Sequence, residues 1–181
     1  MYKVKCEIEG IAPLLHDNPW NIKDQLMGKV KSQSACSAYN EKQLYKNESG
    51  ECCIPATHIK GAMKWAAKKV KFARGTITQF VKACVYIDET MITLGKKHAD
   101  EINENIYPDK KGMQHYKERP MFYKGWKVSF TITVFEDSLP SEKIEECLNI
   151  AGMLFGIGCR RPDYGRFIIK KFETIKAKKA A

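Results

Sequence analysis

The stretch CCIPATHIKGAMKWAAKKVKFARG, residues 52–75, decides how the chain is organised. Pro55 ends a short extended segment, and Thr57 is a candidate N-cap residue for a helix that follows. Apolar residues then recur at helical spacing, at Ile59, Met63, Ala66 and Val70. The pattern predicts an amphipathic helix that packs one face on a core.

The opposite face of this helix is basic. Its lysines are spaced i, i+4, i+8 and i+11, so we expect the four ammonium groups to form one stripe: Lys60, Lys64, Lys68 and Lys71. Gly61 lies inside the helix, where it costs about 1 kcal/mol relative to alanine. A close approach of backbone or ligand is therefore expected at Gly61.

The segments on either side of this helix predict a small α+β domain. Residues 2–10 alternate with period two, and so do residues 126–134, which indicates two half-buried strands. Residues 78–88 and 90–95 are rich in β-forming residues, residues 138–155 have the pattern of a second amphipathic helix, and a last strand follows Gly165. The order βαββαβ is that of the ferredoxin-like (RRM-like) sandwich. Residues 1–181 then form one domain, with a polar insert at about 96–117 and a frayed tail at about 176–181.

Composition restricts the class of protein. No apolar run approaches the roughly 20 residues that span a bilayer, and residues 1–10 do not resemble a signal peptide. We therefore predict a soluble, cytoplasmic protein without membrane contact. Seven cysteines are an odd number, and nothing indicates an oxidising compartment, so reduced thiols are expected. Cys52, Cys53 and His58 lack the spacing of a zinc site, and we predict neither a metal nor a cofactor.

The positive charge is concentrated in two segments. The chain has 31 Lys and Arg against 21 Asp and Glu, a net charge of +10. Residues 56–75 hold six basic residues and no acid, and residues 159–181 hold eight basic residues against two acids. Such clustering is expected of a protein that binds a polyanion, because neutralised phosphates release counterions. A solvated basic surface is the plainer alternative.

The second basic segment begins with GIGCRRPDYGRF, residues 156–167. Glycines reach positive φ and allow backbone N–H groups to approach a phosphate, arginines suit phosphate oxygens, and a tyrosine can stack on a base. We assign a nucleic-acid contact to the lysine stripe and to this loop: Lys60, Lys64, Lys68 and Lys71, with Gly156, Gly158, Arg160, Arg161, Tyr164, Gly165 and Arg166. Trp20, with Phe122 or Tyr123, is a further candidate for stacking. The alternative is an ordinary turn with a helix C-cap at Gly156 and a salt-bridged corner at Arg161-Pro162-Asp163.

Four motifs in order resemble the RAMP superfamily, which includes CRISPR backbone subunits and guide-processing nucleases: GIAPLLHDN, IPATHIKGAMKWAA, RPMFYKGWKVSFTITV and MLFGIGCRRPDYGRF. The set is most similar to small phage and prophage proteins of that superfamily. The resemblance implies a ferredoxin-like domain that assembles side by side along a nucleic acid, as a homo-oligomer or within a CRISPR-type complex.

These observations predict a non-enzymatic protein that binds single-stranded DNA or RNA. The guide-processing branch of the superfamily often uses a histidine, and His16, in a proline-bounded loop, is the candidate here. We expect His16 to contact the nucleic acid without catalysis. Two alternatives remain: a metal-independent endoribonuclease that uses His16, and a phage protein that mimics a CRISPR subunit and blocks the complex.

Overall fold

A computed structural model describes residues 1–18, 43–108, 112 and 114–176. The first half of the chain forms β1 (Tyr2–Gly10), β2 (Leu14–Leu15), β3 (Cys53–Pro55), α1 (Ala56–Ala66), β4 (Lys71–Phe72), β5 (Gly75–Thr76), α2 (Thr78–Ala83), β6 (Val85–Ile87) and β7 (Met91–Thr93). The second half forms β8 (Glu101–Pro108), β9 (Gln114–Phe122), β10 (Lys127–Val134), α3 (Ser141–Ile150), a π-helical turn (Ala151–Phe155) and β11 (Phe167–Lys176).

The central feature is a four-stranded antiparallel sheet with the order β11-β1-β10-β6. Strand β1 pairs with β10 from Tyr2–Val134 to Glu9–Lys127, and with β11 on its other side. Along the chain these four strands follow in the order β1, β6, β10 and β11. Helix α1 comes between β1 and β6, and α3 comes between β10 and β11. This is the split βαβ arrangement of the ferredoxin-like fold, and it confirms the predicted fold class.

The core lies between one face of this sheet and the helices. Alternate residues of β1 and β10 are buried, as period-two strands with one covered face require. Helices α1 and α3 complete the core with apolar residues at helical spacing: Ile59, Met63, Ile144 and Leu148. The predicted strand at residues 126–134 and the helix of residues 138–155 are thus found, with the second ending at Gly156, whose φ is 64°.

Two predicted elements differ in the structure. Residues 78–83 form helix α2 rather than a strand, because Val81 is buried there and tertiary packing overrides β propensity. Helix α1 ends at Ala66, earlier than the apolar spacing indicated. Val70 is still buried, but it lies between the turn after the helix and strand β4.

The polar insert contains an antiparallel hairpin. Strands β8 and β9 pair from Glu101–Met121 to Pro108–Gln114, and β2 joins β9 to make a second, three-stranded sheet. The segment that connects β1 to β2 therefore leads from the first sheet to the second. The glycine-rich loop packs on this segment. Two short pairs, β3 with β7 and β4 with β5, flank helix α1.

Candidate functional site

The glycine-rich loop has the predicted backbone conformation. Gly156, Gly158 and Gly165 have φ of 64°, 79° and 72°. The close approach that they permit is made by the chain itself, however. A Cβ on Gly165 would lie 1.8 Å from the carbonyl oxygen of Ile157, and one on Gly158 would lie 2.7 Å from that of Leu15.

Backbone hydrogen bonds fix this loop on the β1–β2 connection. The N–H of Cys159 donates to the carbonyl of Leu15 at 3.0 Å, and that of Gly165 donates to Pro13 at 2.7 Å. Within the loop, Ile157 N–H donates to the Gly165 carbonyl at 2.9 Å. The N–H groups of Ile157, Cys159 and Gly165 are therefore engaged within the chain and do not cradle a phosphate. The loop instead presents side chains from a rigid support.

Arg161 is the exposed arginine of this loop. Its charge contributes, after burial, to lowering the pKa of His58 in the first turn of α1. Contacts link the loop to that end of the helix, since Cys159 N–H donates to the Leu15 carbonyl and the ring of Tyr45 packs on both His16 and His58. The first turn of α1 holds no acid. Because a helix N-terminus carries a positive partial charge, this end of α1 attracts anions. Asp163 is exposed and makes no ion pair among the described residues, so the salt-bridged corner is not formed there.

The other predicted loop residues are less exposed. Arg160 adopts a φ of 53° and is half-buried. Arg166 is also half-buried, and its Nε donates to the Pro162 carbonyl at 2.8 Å. Tyr164 is half-buried, with its N–H donating to the Arg160 carbonyl at 3.2 Å. The loop therefore orders its own arginines and leaves Arg161 most accessible.

The four lysines of the predicted stripe do not share one role. Lys60 donates to the carbonyls of Val81 and Val85, and burial, with the charge of Lys64, lowers its pKa to about 8. Its ammonium group joins α1 to the end of α2, which corrects its assignment to the nucleic-acid contact. Lys64 and Lys68 are exposed, but only Lys64 lies on the helix. Lys71 is exposed in strand β4.

His16 lies in the core rather than at the surface. It is 2% exposed and packs its ring 4.8 Å from that of Phe122 and 5.4 Å from that of Tyr45. Neither ring nitrogen has a hydrogen-bond partner among the described residues. Burial, and secondarily the charge of His58, lowers its pKa to about 3. The predicted contact with nucleic acid is therefore wrong for this conformation.

Two of the stacking candidates can be placed in the same way. Phe122 is fully buried against His16, so it cannot stack on a base. Tyr123 is exposed at the end of β9. Trp20 lies outside the residues that the structure describes.

An ion-pair cluster that the sequence did not indicate lies beside the loop. Asp17 accepts hydrogen bonds from Lys117 at 2.7 Å and from Arg119 at 3.1 Å, and the Cys159 thiol lies 3.7 Å from the same carboxylate. Hydrogen bonds and charge from Lys117 and Arg119 outweigh burial and lower the pKa of Asp17. The cluster joins the β8–β9 hairpin to the glycine-rich loop. Its members are about 100 residues apart in sequence, so no local pattern could have revealed it.

The open face of the main sheet has balanced charge. Four ion pairs lie on it: Lys3 with Asp88 at 2.7 Å, Lys127 and Lys170 each with Glu9 at 3.4 Å, and Lys171 with Glu173 at 3.0 Å. The analogous face of RNA-recognition modules binds single strands. Here five lysines stand against five acids on or beside that face: Lys3, Lys5, Lys127, Lys170 and Lys171, with Glu7, Glu9, Asp88, Glu89 and Glu173.

Among the described residues, no set of three His, Cys, Asp or Glu side chains is placed to hold a metal ion. In the same part of the chain, no helix is long and apolar enough to cross a membrane.

The sheet order, with α1 before β6 and α3 before β11, defines a ferredoxin-like fold. A chain of a type III-B Cmr-beta complex, solved by cryo-electron microscopy bound to cognate target RNA, is similar with a TM-score of 0.59 and 17% identity. The match covers 97% of this chain and 61% of that one, so this chain spans less than two thirds of its length. Cmr6 from Pyrococcus furiosus is similar with a TM-score of 0.50 and 10% identity, over 92% of this chain and 96% of that one.

At these identities the likeness shows the fold alone, and that is the fold which the resemblance to the RAMP superfamily implied. No protein-family model matches the sequence, and no curated protein matches it either.

Proposed function

We propose that this chain is a non-enzymatic subunit that binds single-stranded nucleic acid, RNA in particular, and assembles side by side along the strand in a CRISPR-type complex. We also propose that it comes from a mobile genetic element, because its motifs resemble those of small phage and prophage proteins. Binding would occur on the helix side of the domain, along α1 and beside Arg161.

The separation of charge on the surface carries this proposal. The open sheet face is balanced by ion pairs, whereas α1, the segment that follows it and the glycine-rich loop hold exposed cations with no ion pair among the described residues: Lys64, Lys68, Lys69, Lys71, Arg74 and Arg161. Association with a polyanion releases counterions in proportion to the phosphates contacted, so such unpaired cations favour it. The fold supports the same conclusion, because one similar chain belongs to a complex solved with bound target RNA.

The position of His16 supports a binding role without cleavage. General acid–base catalysis needs a group within hydrogen-bond reach of the substrate, and His16 is sequestered between Phe122 and Tyr45. Its lowered pKa also keeps the imidazole neutral near pH 7.

The test is a titration of the protein with labelled single- and double-stranded RNA and DNA in EDTA, at several salt concentrations. We expect single strands to bind more tightly than duplexes, with a log–log salt slope of about −0.7 per phosphate contacted. Light scattering on oligonucleotides of increasing length should show protomers added in proportion to length. The same samples run on denaturing gels should show intact RNA. A flat salt response would disprove the polyanion site, and RNA cleavage would establish the ribonuclease instead.

A further inference from the structure

Trp65 is an exposed indole at the C-terminal end of α1. Its side chain is 54% exposed, although its neighbours on the helix, Met63 and Ala66, are fully buried. An exposed indole offers a flat face on which a nucleic-acid base can stack. The periodicity of the helix placed Trp65 on neither the core face nor the lysine stripe.

The surroundings of Trp65 are basic and contain no acid from the same segment. Between Cys52 and Ile87 the chain holds no Asp or Glu. Five exposed cations lie within nine residues of Trp65 in the chain, and none has an ion pair among the described residues: Lys64, Lys68, Lys69, Lys71 and Arg74. The ammonium group of Lys68 lies 4.0 Å from the centroid of the Trp65 ring. We call Trp65 and these five cations the Trp65 patch.

The support under the Trp65 patch is rigid. After α1 the chain buries Val70, forms the β4–β5 hairpin, and buries Ile77, whose N–H donates to the Val70 carbonyl at 3.2 Å. The ring of Phe72 packs edge-on against that of Phe80 at 5.5 Å. Lys71 and Arg74 therefore project from an anchored hairpin, and Lys68 and Lys69 from the turn that leads to it.

We propose that the Trp65 patch is a base-stacking site for single-stranded nucleic acid, distinct from the contact at Arg161. An exposed aromatic ring set among unpaired cations matches a nucleotide, which offers a π-face and a flanking phosphate. Lys68 is held at the ring, where it meets the phosphate beside a stacked base. The proposal rests on the proposed function, because it names the part of the strand that one end of α1 recognises.

The two contacts lie at opposite ends of one helix. Arg161 is near His58, and Trp65 is seven residues further along α1, which is about 10 Å at 1.5 Å per residue. One short strand can therefore reach both, and neither contact substitutes for the other.

The test compares Trp65→Leu with Trp65→Phe and with the control Tyr86→Leu. Tyr86 is 57% exposed, but it lies on the open sheet face, where charges are balanced. Affinity for a single-stranded RNA should fall roughly 5- to 150-fold in Trp65→Leu, the range that alanine substitution gives for one stacked base. It should stay within a few-fold of the parent in Trp65→Phe and be unchanged in Tyr86→Leu. The salt slope should be unchanged in all three, since no charge is removed.

An abasic strand of the same length separates stacking from charge. On that strand the parent and Trp65→Leu should bind equally, because it has no base to stack. If the parent binds RNA and Trp65→Leu binds as tightly, the stacking site is disproved while the proposed function stands. An equal loss on the abasic and the base-bearing strand also overturns stacking. If the parent protein binds neither strand and its basic patch binds an acidic protein instead, both proposals are disproved.

Discussion

The guanidinium Nε of Arg119 donates to the carboxylate of Asp17 at 3.1 Å, across 102 residues of sequence. Arg119 is 7% exposed, so its charge depends on partners inside the fold. Asp17 continues the connection on which the glycine-rich loop is fixed, and Arg119 lies on the hairpin strand β9. This one contact therefore couples the second sheet to the candidate site.

We expect Asp17→Asn to destabilise the protein by about 1–3 kcal/mol, because it leaves two cations with a weaker acceptor. Urea unfolding at pH 7 measures the change. Glu173→Gln is the matched control: it removes an acid from the exposed pair with Lys171, and we expect a change below about 0.5 kcal/mol. Equal losses in the two variants would show that Asp17 is an ordinary surface acid.

The sequence predicts the features that depend on neighbouring residues, and it does not predict those that depend on contacts between residues far apart in the chain. The period-two pattern around Phe130 and the positive φ of Gly156 follow from local rules, and both were predicted correctly. The role of Lys60 depends on carbonyls 21 and 25 residues away, and helix α2 forms because of what packs on Val81. Local periodicity contains neither fact.

The candidate site shows the same limit. The sequence identifies the basic segments, but it does not show which of their side chains form hydrogen bonds or ion pairs in the folded protein. Arg161 remains exposed, whereas Lys60 turns inward. His16 was predicted to contact nucleic acid because it lies in a proline-bounded loop, but Phe122 at the end of β9 packs on its ring and helps to bury it.

Stability should fall as the pH falls below about 6.5, because His16 has a folded-state pKa of about 3 and the pKa of His58 is also lowered. Between its folded and unfolded pKa values, each histidine binds a proton only in the unfolded chain, which favours unfolding by up to about 1.4 kcal/mol per pH unit. Urea unfolding at pH 7.5, 6.5, 5.5 and 5.0 measures this dependence.

His16→Leu should reduce that slope by about one proton, and it should not destabilise the protein at pH 7.5, since His16 makes no side-chain hydrogen bond among the described residues. A variant that keeps the full pH dependence of the parent would show that His16 titrates normally in the folded state.

Two glycines give a direct comparison of what backbone freedom contributes. Gly165→Ala should destabilise by about 3 kcal/mol or more, because its φ is 72° and a Cβ would lie 1.8 Å from the Ile157 carbonyl oxygen. Gly61→Ala, inside α1, should instead stabilise by about 1 kcal/mol, because a Cβ there meets no atom within 4 Å. Thermal unfolding of both variants measures this. No described part of the chain makes the close approach that was expected at Gly61. A destabilised Gly61→Ala variant would show that some group does lie close to Gly61.

Arg161→Gln should weaken binding to single-stranded RNA with an unchanged melting temperature, because the side chain is exposed. The salt slope should become shallower by about 0.7 for each phosphate that the variant no longer neutralises. Arg166→Gln is the comparison: its Nε holds the Pro162 carbonyl, so we expect a lower melting temperature as well. An Arg161→Gln protein with parental affinity at every salt concentration would remove the loop from the binding surface.

Lys60 and Lys64 lie four residues apart on α1 and should separate folding from binding. Lys60→Met leaves the Val81 and Val85 carbonyls without their ammonium donor, so we expect a loss of about 1–3 kcal/mol in urea unfolding and an unchanged salt slope. Lys64→Met removes an exposed cation with no partner among the described residues, so stability should change by less than about 0.5 kcal/mol. Its affinity for single strands should fall, and its slope should become shallower by about 0.7. If Lys60→Met alters the salt slope as much as Lys64→Met does, the Lys60 ammonium group meets the ligand and the inward orientation is not the one that binds.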